Sequence, residues 1–567
     1  MPAFVLVVIV LAVFFLGYRF YSSYLAKRIY ALDPDFETPA NAQRDGVDYV
    51  PTPKSVLLGH HFTSVAGAAP IVGPAIAVYW GWLPALAWVV LGSLFAAGVH
   101  DFGSLVVSVR NRGQNIGTLA GKVVTPRAST LFLIIIFFLL TLVNAVFGAV
   151  IAILFQSHPG AVIPTIVVIP IAIFIGQWAY RMGRAILIPS IIGLLLLYAS
   201  IPLGQAYPVH IDSLANAIGL SGRTTWMLLI FAYTWIASRL PVWVLLQPRD
   251  YINGQQLLVA LSAIFLGVLI GWEQITAPAV NANVAASAPH WFPFLFITIA
   301  CGAISGFHCL VASGTTSRQL AKETDARLVG YGGALGEGSL ALAAILACTA
   351  GLGSAGEWTS AYSGWGAASG GAVGHFVTGV GHFIANLGLP ASVGATFAVV
   401  VTVTFAGTTM DTGIRLQRYI LEEIVELAGI RALSGRINVL TTLAVAIPLA
   451  LALIPGGGGK GYAFGHLWTL FGTTNQLTAG LALAVIGVWI MARGRNPLAA
   501  LVPLVFLLLM TVYALVLNLG DFIAQGSWLL LFMDAAILAL SVWLVIEAIT
   551  AVNRERARAR APETDTK

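Results

Sequence analysis

Gly59-His60-His61-Phe62-Thr63-Ser64-Val65-Ala66-Gly67-Ala68-Ala69-Pro70-Ile71-Val72-Gly73-Pro74 is apolar enough to enter a membrane yet poorly built for a straight helix. Pro70 and Pro74 each remove a backbone donor and clash with the preceding turn, and Gly59, Gly67 and Gly73 weaken the helix further. A bent or unwound segment is expected. In a bilayer, freed backbone groups are tolerated only where protein or an aqueous cavity receives them, so the segment belongs inside a helix bundle. Its His60, His61, Thr63 and Ser64 argue against a merely kinked structural helix.

The surrounding chain supports a membrane setting. Of 567 residues, 58% are hydrophobic and 9% are charged, and the mean hydropathy is +0.88. Runs of about twenty apolar residues recur, each long enough to cross a hydrocarbon core. The pattern predicts an all-α polytopic membrane protein of about fifteen transmembrane helices. These fall near residues 2–25, 55–80, 82–108, 129–155, 161–180, 185–205, 224–245, 255–272, 291–312, 329–350, 391–410, 437–455, 466–492, 497–519 and 527–549. The first run lacks a basic region before it and is followed by Lys27-Arg28 rather than a small-residue cleavage site, so it is read as an uncleaved helix.

Charge then orients the spans. The net charge of +6 is spread in short clusters between apolar runs, which excludes a nucleic-acid-binding face and reads as a topology signal. Alternate connections carry Lys27, Arg28, Arg110, Lys122, Arg249, Arg318, Arg327, Arg418, Arg493 and Arg495, whereas the opposite connections are nearly free of Lys and Arg. An outside N-terminus and a cytoplasmic C-terminus follow. Residues 371–389 would spoil this parity if they spanned, and are expected to form an external or re-entrant helix. The charged tail after Ala551 is expected to be disordered, touching anionic lipid. Cys301, Cys309 and Cys348 read as reduced core thiols without a metal-type spacing.

A second interrupted segment is expected at Tyr233-Thr234-Trp235-Ile236-Ala237-Ser238-Arg239-Leu240-Pro241-Val242-Trp243. It begins five helices after the first and runs the other way. Two five-helix units of opposite orientation, each opening with a broken helix, are the arrangement of leucine-transporter-like carriers, with solute held where the broken helices cross.

Charges inside spans are costly unless paired or hydrated, which makes His60, His61, His100, Asp101, Arg239, His308, Glu337, Asp411 and Arg415 functional candidates. Arg239 pairing with Asp101 or Glu337 is the structural alternative to direct ligand contact. Thr63 and Ser64, with Ser305 and Thr315 of the ninth segment, offer hydroxyls for an oxygen-seeking sodium ion. No HExxH pattern supports a metalloenzyme, and Gly456 to Lys460 lacks the Ser or Thr of a phosphate-binding loop, so ATP-driven transport and catalysis are not expected.

Several blocks resemble the carbon starvation protein A family. They are Gly59 to Pro74, Val99-His100-Asp101-Phe102, Leu240 to Tyr251, Pro293 to Gln319, Gly330-Tyr331-Gly332, Phe405 to Thr412 with Arg415 to Tyr419, and Leu470 to Leu477. The resemblance implies bacterial or archaeal inner-membrane transporters of peptides or pyruvate within the amino acid-polyamine-organocation superfamily, acting under carbon starvation. It also implies a carbon-starvation transmembrane region over 1–375, a C-terminal five-helix region over 376–520, and a last helix with a charged tail over 521–567.

The combined expectation is secondary active uptake of a small carboxylate-bearing nutrient, driven by a proton or sodium gradient, without a cofactor. A channel and a nutrient-sensing receptor are the alternatives. Gly67, Pro70, Gly73, Ser238 and Pro241 would enclose the solute, and Arg239 would grip its carboxylate through a bidentate fork. His100, Asp101, Glu337 and Asp411 are the proton-coupling candidates, Thr63, Ser64, Ser305 and Thr315 the sodium set, and His60, His61 and His308 the vestibule.

Overall fold

A computed structural model describes residues 1–46, 48–286, 288–454 and 464–560. The glycine-rich loop at 456–460 lies outside the described residues. The described chain is helical; its only strand-like pairing is two isolated bridges, Pro2 with Gln274 and Thr52 with Leu320. Among the described residues, eleven helices are long and apolar enough to cross a membrane, and the pair Lys54–Ala66 and Ala69–Trp80, bent by 47°, makes a twelfth, against about fifteen expected. Three shorter or interrupted segments, Gly222–Ala237, Ile437–Ala452, and Trp291–Thr298 with Gly306–Gly314, occupy the other expected positions.

The first break is where the glycines and prolines place it. Lys54–Ala66 stops at Gly67, whose φ of +53° is rarely open to L side chains. A Cβ there would also press on the Phe147 ring and on Thr409 Oγ1, at 2.8 and 2.9 Å. Pro70 then lies in the first turn of Ala69–Ala77, where a missing N–H costs nothing because no partner precedes it. Pro70 therefore starts the second half-helix rather than kinking the first.

The second break differs from expectation. Gly222–Ala237 simply ends before Ser238, and Ser238 to Leu245 form the turn that leads into Leu246–Gly271. Pro241 closes a span instead of interrupting one. The interrupted helix is the ninth segment, where Trp291–Thr298 and Gly306–Gly314 are separated by an irregular stretch with Gly302 at φ +89°. The broken spans run antiparallel: His61 meets Thr316, Pro70 lies against Gly302, and Gly73 packs on the Thr298 carbonyl.

Backbone groups freed at this second break are received by protein. Trp88 Nε1 donates to the Ile299 carbonyl (3.2 Å), Trp468 Nε1 to Thr298 (3.3 Å), Gln476 Nε2 to Phe296 (2.6 Å) and Ser93 Oγ to Gly302 (3.1 Å). Asn475 Oδ1 accepts from the Phe307 amide (3.0 Å), capping the second half-helix from another span.

Sidedness is consistent along the chain. The Ala3 amide donates to the Glu273 carbonyl (2.7 Å), so the N-terminus shares a face with the loop after Gly271. Trp365–Ala385 starts against Trp80, with ring centroids 5.0 Å apart, and ends with His382 Nε2 on Glu273 at 2.9 Å. Both ends lie on that same face, so this helix lies across it without spanning. The opposite face gathers basic side chains: Arg110 pairs with Glu323 (2.6 Å), and Arg495 donates to the Tyr30 carbonyl (2.9 Å). The expected disordered tail is instead helical as far as Arg560, continuous with the last span from Trp528, and Arg554 donates to the Val124 carbonyl at 2.8 Å. Lipid-facing surfaces keep large apolar side chains exposed, among them Phe15, Phe20, Ile188 and Leu195.

Candidate functional site

Two buried polar clusters flank the crossing of the broken spans. The first joins three segments. His100 and Asp101 come from Gly98–Val109, His308 from the second half of the broken ninth segment, and Glu337 from Gly333–Thr349. His100 Nδ1 lies 2.7 Å from Asp101 Oδ1, His308 Nδ1 2.9 Å from Asp101 Oδ2, and His308 Nε2 3.3 Å from Glu337 Oε2. All four side chains are buried. Asp101 thus orients two imidazoles, and His308 bridges two carboxylates, an arrangement able to pass a proton between them.

Cys301 adds a thiol to this cluster. Its Sγ accepts from Asn475 Nδ2 (3.2 Å), and the ligand atoms of Cys301, His308 and Glu337 lie within 4.8 Å of one another. Those atoms form a set able to hold a divalent cation, which linear spacing did not reveal. The four hydroxyls of the expected sodium set have separate attachments. Thr63 donates to the Gly59 and Asp250 carbonyls (2.8 and 3.3 Å) and Ser64 to Asp250 Oδ2 (3.5 Å). Ser305 donates to Asn475 Oδ1 (3.2 Å) and Thr315 to the Val311 carbonyl (2.9 Å). No hydrogen bond among the described residues links the two pairs.

The second cluster lies where Leu246–Gly271 packs on Ala391–Leu427. Arg249 is 3% exposed, and its Nη1 donates to Asp411 Oδ2 (2.7 Å) and to the Tyr233 hydroxyl (2.6 Å). Tyr233 in turn donates to Asp411 Oδ2 at 3.1 Å. Asp250, next in the chain, points to the first broken span, where His60 Nδ1 lies 3.0 Å from its Oδ2. Arg249 Nε and Nη2, Asp411 Oδ1 and Asp250 Oδ1 are buried with no hydrogen-bond partner among the described residues. Arg249 also lines a cavity of about 290 Å³ whose walls include Ile151, Phe155, Trp226, Tyr233 and Thr404.

The remaining candidates separate clearly. Gly67, Pro70 and Gly73 lie at the crossing, and His61 Nδ1 lies 2.9 Å from Thr316 Oγ1, joining the two broken spans. Arg239 does not reach Asp101 or Glu337. It is exposed on the turn after Gly222–Ala237, with its guanidinium 4.4 Å above the Trp235 ring. Ser238 donates to the Trp235 carbonyl (3.3 Å) beside it, and Arg415 holds the same turn by donating to the Leu240 carbonyl (2.6 Å). Arg249, Tyr233, Asp250 and Asn475 escaped sequence reasoning as site residues. The adjacent Arg249-Asp250 pair at the head of an apolar span was the available signal.

Comparison with known proteins agrees with this architecture. The family described as "Carbon starvation protein CstA" matches residues 2–361 and 354–514. The peptide transporter CstA of Escherichia coli K12 is 34% identical over 564 residues, covering 90% of this chain and 80% of the relative. The pyruvate/proton symporter BtsT of the same organism is 32% identical over 598 residues, covering 91% and 81%. Among solved structures, a manganese transporter of Eremococcus coleocola superposes with a TM-score of 0.52 at 12% identity, over 90% of this chain and 99% of that one. That likeness concerns the fold alone and is the leucine-transporter-like architecture expected from broken helices. This chain therefore belongs to the carbon starvation protein CstA family and is a multi-pass membrane transporter.

Proposed function

We propose that the protein imports a small carboxylate-bearing nutrient, a short peptide or a pyruvate-like acid, by alternating access coupled to the proton gradient. The observation that carries this reading is the His308 bridge. A buried imidazole spans two carboxylates directly beside the discontinuity of a half-helix, so moving that half-helix breaks or makes a proton-transfer contact. Peptides and pyruvate, named for two relatives, share a carboxylate, which fits a single anion-recognising site. The basic face would be cytoplasmic by the distribution of Lys and Arg, leaving the N-terminus outside and the C-terminus inside. Growth on scarce carbon is the setting that the family name suggests.

The test is uptake of labelled pyruvate and dialanine into proteoliposomes under separately imposed proton and sodium gradients. Accumulation against a gradient is expected with protons alone. In His308→Gln, solute exchange across the membrane should persist while the response to the proton gradient disappears. Accumulation driven only by sodium would return the coupling role to the hydroxyl-bearing segments.

A further inference from the structure

We propose that the free edge of Arg249 is the anchor for the solute carboxylate, and that Asp411 accepts the proton that travels with it; the proposal rests on the transport reading above. A guanidinium presents five N–H donors in a rigid fork. Here Nη1 is committed to Asp411 and Tyr233, while Nε and Nη2 are buried without a partner. These two nitrogens point along one side of the guanidinium plane and match the two oxygens of a carboxylate side-on. Leaving buried, charged donors unpaired is costly, so a ligand that satisfies both is bound strongly.

The surroundings specify the ligand further. Among the described residues, Arg249 is the only cation on the wall of the 290 Å³ cavity, which is otherwise lined mainly by apolar side chains such as Ile151, Phe155 and Trp226, with Tyr233 and Thr404 adding hydroxyls. A cavity of that size and character accepts one carboxylate carried on a short, largely apolar body. Dicarboxylates and polycations find no second partner there.

Charge bookkeeping explains why a proton accompanies the anion. Arg249 is balanced by Asp411, and Asp250 faces His60. Arg415, one turn beyond Asp411, is engaged with the Leu240 carbonyl. An added monoanion such as pyruvate would leave one uncompensated negative charge inside the bilayer, an expensive state. A proton on Asp411 Oδ1, the carboxylate oxygen without a partner among the described residues, restores the balance and loosens the hold of Asp411 on Nη1. A monoanion and the proton then enter and leave as a neutral pair, whereas a zwitterionic dipeptide brings its own ammonium and crosses with the proton as a cation.

Proteoliposomes test this with four probes: labelled pyruvate, labelled dialanine, and the amides pyruvamide and alanyl-alaninamide as competitors. Wild-type uptake should be competed by unlabelled acids and not by the amides. Arg249→Lys, which keeps the charge but not the fork, should raise the half-saturating concentration at least tenfold. The pair-neutral double variant Arg249→Gln with Asp411→Asn serves if single changes misfold, and should abolish uptake while keeping the wild-type gel-filtration profile. Oleate, a carboxylate from the bilayer, is added as a further competitor because Ile166 and Leu229 on the cavity wall also face lipid.

Competition by oleate without competition by pyruvate or dialanine would overturn the nutrient assignment, as would folded Arg249 variants with unchanged half-saturation. Wild-type protein that accumulates no carboxylate under any gradient would instead remove the transport reading itself. Wild-type accumulation with an indifferent Arg249 removes this site alone.

Discussion

The two buried clusters look alike by composition and differ in how their bonds are used. Around His308, the hub is saturated: both oxygens of Asp101 are engaged and the imidazole lies against a carboxylate on either side, while His100 Nε2 and Glu337 Oε1 have no hydrogen-bond partner among the described residues. Around Arg249, the hub itself is open: two nitrogens of the guanidinium and one oxygen each of Asp411 and Asp250 have no partner among the described residues, and Arg249 lines a cavity. A saturated hub holds its neighbours in place and transmits movement. An open one has capacity left for a ligand. Under the reading proposed above, the first cluster links movement to the proton gradient, and the second takes the solute together with its proton.

The sharpest way to break this contrast is to remove the saturated hub of the first cluster. Asp101→Ala leaves the two buried imidazoles without their shared acceptor, and losing one partner of a buried ion pair costs about 3–5 kcal/mol. A large fall in melting temperature in detergent, with uptake lost, is expected. Asp101→Asn keeps one acceptor and should recover part of the stability but none of the gradient response. Wild-type stability in Asp101→Ala would show that Asp101 does not hold the cluster together.

Breaking the open cluster should give a smaller and more selective loss. Asp411→Asn leaves Arg249 its tyrosine and amide oxygen contacts, so a destabilisation of about 1–3 kcal/mol is expected. Adding Arg249→Gln should return part of that stability, because the buried charge goes with its partner. Double-mutant thermal unfolding measures the coupling. A purely additive result would mean that the two residues are not paired in the membrane.

Next in size is the backbone at the first break. Gly67→Ala forces a side chain into a left-handed conformation and against Phe147 and Thr409, for about 1–3 kcal/mol. Because Gly67 forms the break of the first span rather than part of either cluster, its uptake defect should appear in maximal rate more than in half-saturation. The reverse pattern would place Gly67 against the solute.

Much of the fold was legible because membrane composition and backbone rules act locally. The first break follows from Gly67 and Pro70, whose effects depend on a few neighbouring residues. The lie of Trp365–Ala385 across one face followed from charge parity and weak hydrophobicity. The second break was not legible in the same way. Its glycines, Gly302 and Gly306, are as common in packed helices as in broken ones. What holds this break open is a set of donors and acceptors on distant spans: Trp88, Trp468, Asn475 and Gln476. Pro241 drew attention to the wrong segment because a proline inside a span and a proline just beyond its end look the same without a boundary.

The same limit explains the exchange of one arginine for another. By sequence, Arg239 adjoins the apolar run of its helix and reads as intramembrane, while Arg249 stands beside Pro248 and Asp250 and reads as part of a loop. Burial reversed them, since Asp411 reaches Arg249 across 162 residues of sequence. Arg239→Ala is therefore the smallest effect expected. Its guanidinium is exposed over Trp235, and such a contact is worth about 0.5–1 kcal/mol at a surface. Uptake and half-saturation should stay within twofold of wild type at equal expression. A tenfold rise in half-saturation would restore Arg239 as the carboxylate partner and empty the open cluster of its assigned role.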